Sequence, residues 1–185
     1  MHDLDALDLS TALLRARLAA VPGDRWEAAT PCEAWTVRDV AAHVVGDAVR
    51  YRLWLEGAPD EEVVASRAVD FAGDDPVAAL DRIQGALREA LAAPGALDHT
   101  VAHSAGVIVG RELLELRMLE QALHAWDIAV GSGTDDTIGD ELCARLLRAT
   151  PTIDRLRSAG YYAAAAAPAG SLQEQLLRAA GRLRT

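Results

Sequence analysis

Two stretches of this sequence place polar side chains at positions where a helix normally presents its apolar core. The first series is Asp39 or Val40, His43, Asp47, Arg50 and Trp54, and the second is Leu113, Arg117, Glu120, His124 and Asp127. Both series step by three and four residues, which is the spacing of a helix-packing seam. Buried imidazole, carboxylate and guanidinium groups are costly unless they are paired or bound to a metal. The two series therefore predict a pair of packed helices with a polar site at their interface.

The candidate metal ligands are His43, Glu120 and His124. Glu120 and His124 are four residues apart, so they share one face of a helix. Two imidazoles and a carboxylate that face each other across a bundle form a divalent-metal site. A lone buried histidine is more often a hydrogen-bonded core residue. Three such residues at compatible spacing favour the metal, and a buried polar network without metal remains the alternative.

Two aspartates accompany the candidate ligands on the same helix faces. Asp47 is one turn beyond His43, and Asp127 is one turn beyond His124. Either carboxylate could orient the neighbouring imidazole as a hydrogen-bond acceptor, or serve as an additional ligand. The alternative is an ordinary salt bridge within the helix, for example between Asp47 and Arg50. The sequence leaves both interpretations open.

Two arginines also lie along the seam. Arg50 and Arg117 could hold a carboxylate-bearing substrate through bidentate hydrogen bonds, which makes them the candidate catalytic residues. Their alternative role is to balance the charge of the buried acids. Cys32 is predicted to be a buried structural cysteine rather than a nucleophile. Packing roles are predicted for Trp35, Trp54 and Trp126.

The composition limits the partners of this protein. A net charge of −10 argues against a nucleic acid and against an anionic membrane surface, because both require a cationic face. All 18 basic residues are arginine, which excludes Schiff-base lysine chemistry. The two cysteines are far apart, the N-terminus does not resemble a signal peptide, and no apolar run is long enough to span a membrane. We expect a cytoplasmic protein, with a homodimer among the open oligomeric states.

The apolar periodicity predicts an all-α protein with one domain over residues 1–185. Long helices are predicted at 8–21, 37–56, 76–93 and 111–130, and shorter helices at 140–148 and 172–180, with another turn beginning near 151. The first helix is expected to bury Leu9, Leu13, Leu14 and Leu18. Thr36 and Asp39 form a capping box before the second helix. Residues 57–75 are predicted to be an irregular crossover, residues 96–110 an extended or loop segment, and residues 160–170 either helix or linker.

Two segments resemble a known family. Residues 30–47 (Thr-Pro-Cys-Glu-Ala-Trp-Thr-Val-Arg-Asp-Val-Ala-Ala-His-Val-Val-Gly-Asp) are similar to the N-terminal signature of the mycothiol-dependent maleylpyruvate isomerase family. Residues 116–131, which include His-Ala-Trp-Asp-Ile-Ala, are similar to the second metal segment of that family. The family belongs to the DinB/YfiT-like group of metal-binding four-helix bundles. The resemblance therefore implies an up-down-down-up bundle with a long crossover after the second helix.

The resemblance also implies a chemistry. One divalent metal, zinc or nickel, would be held at the positions of His43, Glu120 and His124, with water in the remaining coordination positions. Relatives use the metal to bind a low-molecular-weight thiol, mycothiol or bacillithiol, and to form the thiolate. The expected function is thiol-dependent S-transfer or isomerisation of a small electrophilic or acidic substrate. The alternative is a metal-binding regulatory or interaction module without turnover.

Overall fold

The protein contains two compact units. The computed structural model describes residues 2–104, 106–160, 162 and 170–182. The first unit spans residues 1–136 and the second spans residues 137–185. The single domain predicted over residues 1–185 stays a prediction.

The first unit is a four-helix bundle with a small hairpin. Its elements are α1 (Asp3–Ala20), α2 (Val37–Glu56), α3 (Asp60–Ser66), α4 (Pro76–Ala92), β1 (Thr100–His103), β2 (Gly106–Val109) and α5 (Gly110–Ser132). Helix α1 packs against α4 and α5, and α2 packs against the same two helices. Strands β1 and β2 pair antiparallel, with Thr100 opposite Val109. The all-α prediction is confirmed, because the hairpin is the only sheet among the described residues.

The bundle core forms because each long helix has one apolar face. Its buried cluster draws on α1, α2, α4 and α5, and includes Leu14, Leu18, Val40, Val44, Leu80 and Ile128. Burying an aliphatic side chain of this size contributes about 1.5–3 kcal/mol to folding. The same helical faces that bury these residues carry the polar series, so packing of the core brings the candidate ligands together.

The start of α2 is fixed by local chemistry, as the sequence predicted. The Thr36 hydroxyl accepts a hydrogen bond from the Asp39 backbone N–H, and the Asp39 carboxylate accepts one from the Thr36 backbone N–H. The helix ends at Gly57, whose φ of 72° lies in the left-handed region that glycine adopts without strain. These two caps set the register of His43 on the helix.

Two segments differ from their predicted structure. Helix α1 begins at Asp3 rather than Asp8, because Asp3 and Asp5 favour a helix N-terminus and Leu7 is buried, whereas Leu9 is 38% exposed. The crossover contains the short helix α3, which starts after Pro59 with three acidic residues in its first turn. The prediction of extended or loop structure for residues 96–110 is confirmed, because this segment contains the two strands of the hairpin and leads directly into α5.

The described residues of the second unit form three short helices, α6 (Asp140–Leu147), α7 (Thr150–Ser158) and α8 (Leu172–Ala179). Helices α6 and α8 pack against each other, and a capping box formed by Ser171 and Glu174 opens α8. The interpretation of residues 160–170 as helix or linker falls mostly outside the described residues. Among the helices that the structure describes, none is sufficiently long and apolar to cross a membrane.

Candidate metal centre

His43 on α2 and the pair Glu120 and His124 on α5 meet at the helix interface. The Glu120 Oε2 atom lies 3.0 Å from His124 Nε2 and 3.8 Å from His43 Nε2. One potential ligand atom from each of the three residues lies within 4.8 Å of the other two. The two imidazole rings stand nearly perpendicular, with their centroids 5.0 Å apart. The structure thus brings together the three residues that the sequence selected.

Asp127 determines how the His124 ring is held. Its Oδ2 atom lies 3.0 Å from His124 Nδ1, and the Asp127 side chain is fully buried. This contact leaves Nε2, the other ring nitrogen, facing Glu120. A carboxylate that holds one imidazole nitrogen fixes the orientation of the ring for a metal at the other nitrogen.

Asp47 contacts both of its proposed partners. Its Oδ2 atom lies 3.1 Å from His43 Nε2, while its Oδ1 atom accepts a hydrogen bond of 2.7 Å from Arg50 Nε. Arg50 also donates from Nη2 to the backbone carbonyl of His43. Asp47 therefore contacts the His43 imidazole and also forms the salt bridge with Arg50 that the sequence offered as its alternative role.

The pKa values of Glu120 and His124 on α5 are both strongly shifted. Burial opposes the charged form of each, but hydrogen bonds outweigh it. The hydrogen bonds with His124 and His43 hold the pKa of Glu120 well below its usual range. The hydrogen bonds with Asp127, Cys32 and Glu120 raise the pKa of His124 well above its usual value. These shifts favour the ion-paired form of Glu120 and His124, so a metal that binds His124 Nε2 competes with a proton for that nitrogen.

The two candidate arginines occupy different environments. Arg117 is fully buried, and it donates from Nε to Gln84 Oε1 and from Nη1 to the Val44 carbonyl. Burial lowers the pKa of its guanidinium. Arg50 lines a cavity beside the candidate ligands. Of the two arginines, Arg50 is therefore the one next to a space that a small molecule could occupy, although its side chain is also largely buried.

The cavity beside His43 has a volume of about 630 Å³. It is lined by small side chains and by six larger ones: Trp35, Asp39, His43, Arg50, Arg67 and Asp70. Pockets of roughly 300–1,000 Å³ accommodate small molecules. The candidate centre is thus next to a space in which a substrate could bind.

Trp35 lies at the cavity wall rather than in the core. Its side chain is 37% exposed, and its ring centroid lies 4.7 Å from that of His43. Trp54 and Trp126 are buried, so the packing role predicted for the tryptophans holds for those two and is wrong for Trp35. The preceding residue, Ala34, has a φ of 67°, so the backbone makes a left-handed turn immediately before Trp35.

The sequence did not predict the contact between Cys32 and Asp127. Its thiol is half-buried and donates to Asp127 Oδ2 at 3.1 Å, so it is not simply a buried structural cysteine. Cys32, His124 and Asp127 form a second group of close donor atoms. The one sequence feature that could have indicated a place for Cys32 near the site is that it lies in the same short segment as His43. Nothing local indicates that this loop packs on α5.

The donor set fits a divalent metal. Two imidazole nitrogens face one carboxylate oxygen, and these are ligand types that zinc and related metals accept. The ring of His124 is already oriented by Asp127. The residues of this chain therefore fit the metal that the resemblance implies.

Comparisons with known proteins agree on the family and the fold. Residues 7–129 match the family described as the mycothiol maleylpyruvate isomerase N-terminal domain. Two uncharacterized proteins of Mycobacterium tuberculosis, MT0763 and Rv0738, are each 31% identical over 134 residues, covering 72% of this chain and 69% of the relative.

Two solved structures are similar to this one. The crystal structure of the mycothiol-dependent maleylpyruvate isomerase has a TM-score of 0.69 and 22% identity, covering 97% of this chain and 88% of that chain. A histidine-to-alanine mutant of that enzyme has a TM-score of 0.61 and 21% identity, covering 80% of this chain and 66% of that chain. These structures confirm the predicted DinB-like fold. Since the family match extends over most of the chain, the protein belongs to the mycothiol maleylpyruvate isomerase N-terminal domain family.

Proposed function

We propose that this protein is a divalent-metal-dependent enzyme that uses a small thiol of the mycothiol type for S-transfer or isomerisation. The observation that carries the proposal is the convergence of His43, Glu120 and His124 beside a cavity of about 630 Å³. The family match and the mycothiol-dependent isomerase with the same fold support this choice of chemistry.

Three side chains would hold the metal, for which zinc or nickel are the candidates. His43 and His124 would each offer Nε2, and Glu120 would offer a carboxylate oxygen. A centre with three protein ligands keeps a position open for a thiol or a substrate. A divalent cation bound there would supply Lewis acidity, which lowers the pKa of a bound thiol so that the thiolate forms near neutral pH. Asp47 is outside the group of mutually close donor atoms, which supports the open position.

The remaining residues position these groups. Asp127 would retain the proton at His124 Nδ1 and keep Nε2 directed at the metal. Because Asp47 contacts the His43 nitrogen that we assign to the metal, we propose Asp47 as the salt-bridge partner of Arg50. Arg50 is the arginine that we propose for an acidic substrate, because it lines the cavity. For Arg117, which is sealed in the core, we propose the alternative role of balancing the buried acids.

The reaction class follows from the thiolate. Its sulfur would form a bond to an electrophilic carbon of the substrate. In S-transfer that bond persists and a leaving group departs with the displaced electron pair. In isomerisation of a conjugated acid, formation of the C–S bond moves the electron pair of the double bond onto the conjugated carbonyl group. Rotation about the resulting single bond follows, and re-formation of the double bond breaks the same C–S bond and returns the thiolate. Neither route needs an external oxidant or reductant.

The test begins with elemental analysis of the untreated protein, followed by turnover assays with mycothiol and electrophilic or conjugated acids. We expect one divalent metal per chain and thiol-dependent turnover. His43→Ala and His124→Ala should each abolish metal binding and leave most helicity intact. Stoichiometric metal without thiol affinity would instead favour the non-catalytic module. Full metal content in both variants would refute the ligand assignment.

A further inference from the structure

A second, smaller cavity lies between α1 and α4 and is separate from the candidate metal centre. It has a volume of about 160 Å³ and is lined by six residues: Asp8, Thr11, Asp81, Gln84, Gly85 and Arg88. None of these residues lines the larger cavity beside His43. At roughly 30 Å³ for each water molecule, the space holds about five waters or a ligand with about that number of non-hydrogen atoms.

The most buried residue of this lining carries a donor without a partner. Gln84 is only 3% exposed, and its Oε1 atom accepts a hydrogen bond of 2.9 Å from Arg117 Nε. Because a guanidinium can only donate, this contact fixes the orientation of the amide and leaves Nε2 as its second polar atom. Gln84 Nε2 is buried and has no hydrogen-bond partner among the described residues. Since an unused buried donor is costly, an acceptor that occupies the cavity would stabilise this part of the protein.

Gly85 keeps the cavity open in the middle of α4. Glycine is unfavourable inside a helix, because it loses more conformational freedom on folding than alanine does. A Cβ atom at Gly85 would meet no atom of the described chain within 4 Å, so close packing does not explain this glycine. The absent side chain instead leaves the space beside Gln84 unfilled.

The charges of the lining favour a neutral ligand. Asp8 and Asp81 are acidic, and Arg88 is the one cation among the lining residues. Arg88 already donates from Nε and Nη2 to Asp8, and Asp81 is paired with Arg15. A carboxylate ligand would accept from Gln84 but would be repelled by two acids. A purely donating cation would suit the acids but leave Gln84 Nε2 unused. The ligand therefore needs an acceptor and a donor without a net charge.

We propose that this cavity is a binding site for a small neutral molecule that carries a carboxamide group. Its carbonyl oxygen accepts from Gln84 Nε2, and its NH₂ group donates to the remaining lone pairs of the Asp8 or Asp81 carboxylate. A planar amide of about four or five non-hydrogen atoms matches the volume. The site needs neither a metal nor a thiol, so this inference goes beyond the proposed function and does not depend on it.

Three planar probes of nearly the same shape provide the test. Acetamide is neutral and both donates and accepts, acetate is anionic and only accepts, and acetamidinium is cationic and only donates. Each probe is titrated into the ¹⁵N-labelled protein, and binding is followed through the side-chain NH₂ signals of Gln84, which Gln84→Glu removes from the NMR spectrum. We expect saturable binding of acetamide with a Kd on the order of 10 mM, as suits so small a ligand. Acetate and acetamidinium should bind at least about tenfold more weakly.

Two variants test the site itself, with binding measured by saturation transfer to the methyl protons of acetamide. Gly85→Leu fills the cavity without altering Gln84, so it should abolish binding while the backbone spectrum remains that of a folded protein. Gln84→Glu removes the buried donor and retains an acceptor for Arg117, so it should also abolish binding. Arg82→Leu is the matched control. It places the same leucine on an exposed position of α4 that lines none of the described cavities, and it should bind acetamide normally.

Each result supports or overturns the inference. If acetamide produces no saturable shift of the Gln84 signals, the site is wrong. Tighter binding of acetate would show an anion site instead of an amide site. Binding that persists in Gly85→Leu or in Gln84→Glu would place the probe elsewhere on the protein. Metal content and thiol-dependent turnover do not enter this test, so its failure leaves the proposed function to its own experiments.

Discussion

Replacing Asp127 with alanine tests whether the buried carboxylate holds His124 in position for a metal. The substitution removes the acceptor that lies 3.0 Å from His124 Nδ1, and also the acceptor of the Cys32 thiol. Because the site of Asp127 is fully buried, bulk water does not replace the lost contacts. The imidazole then loses both its fixed orientation and the basicity that the carboxylate gives it.

The expected magnitude follows from these contacts. Loss of a carboxylate behind a metal-bound histidine lowers metal affinity by about 10–100-fold. That range corresponds to roughly 1.4–2.7 kcal/mol of binding free energy. A hydrogen bond to a charged group is worth about 1.5–3 kcal/mol, which agrees with this range. Asp127→Asn retains a carbonyl acceptor but loses the charge, so it should lie nearer to the tenfold limit.

The assay is a competition titration of zinc between the protein and a chromophoric chelator. The matched control is Asp81→Ala, which removes an exposed aspartate whose partner is Arg15. This control should bind zinc as the unmodified protein does, because surface ion pairs contribute little. If Asp127→Ala binds zinc with unchanged affinity, the orienting role of Asp127 is refuted. Thermal unfolding of the metal-free variants separates this effect from a general loss of stability.

The other predictions concern the free energy of unfolding measured by chemical denaturation. Thr36→Ala should cost about 1 kcal/mol near neutral pH. The Thr36 hydroxyl and backbone N–H lower the pKa of Asp39 from its ordinary value of 3.8. The stabilisation that the charged Asp39 carboxylate gains from Thr36 is therefore complete above pH 3.8, and it is lost as the pH falls through the lower pKa of the folded state. A constant cost at all pH values would contradict this. Gly110→Ala should destabilise by about 1–3 kcal/mol, because the new Cβ would overlap the Ala96 carbonyl oxygen; a neutral effect would disprove the close approach. Ala34→Gly should stabilise by up to about 1 kcal/mol by relieving the left-handed backbone, and a loss of stability would contradict the φ of 67°.

Features that depend on neighbours in the chain were predictable. Thr36 and Asp39 specify the start of α2, and Gly57 specifies its end. Periodicity then places His43 on the interior face of that helix, and the four-residue spacing places Glu120 and His124 on one face of α5. Local steric and hydrogen-bonding rules are sufficient for these conclusions.

The sequence did not predict how deeply each arginine is buried or which residues the loop before α2 contacts. Arg50 and Arg117 occupy equivalent places in their periodic series, yet Arg50 lines the cavity, whereas Arg117 is fully buried and does not line it. Trp35 and Cys32 lie in an irregular loop, where no periodic rule indicates which helix they contact. Trp35 reaches His43 through a left-handed turn at Ala34.

The sequence by itself determined which side chains share a helical face, because the helix repeat is a local property of the backbone. Tertiary structure decided which of those faces meet, how deeply each polar group is buried, and which loop residues complete the site. These outcomes depend on how helices that are far apart in the chain pack against each other. The spacing of residues within one segment does not indicate how side chains from two helices fit together.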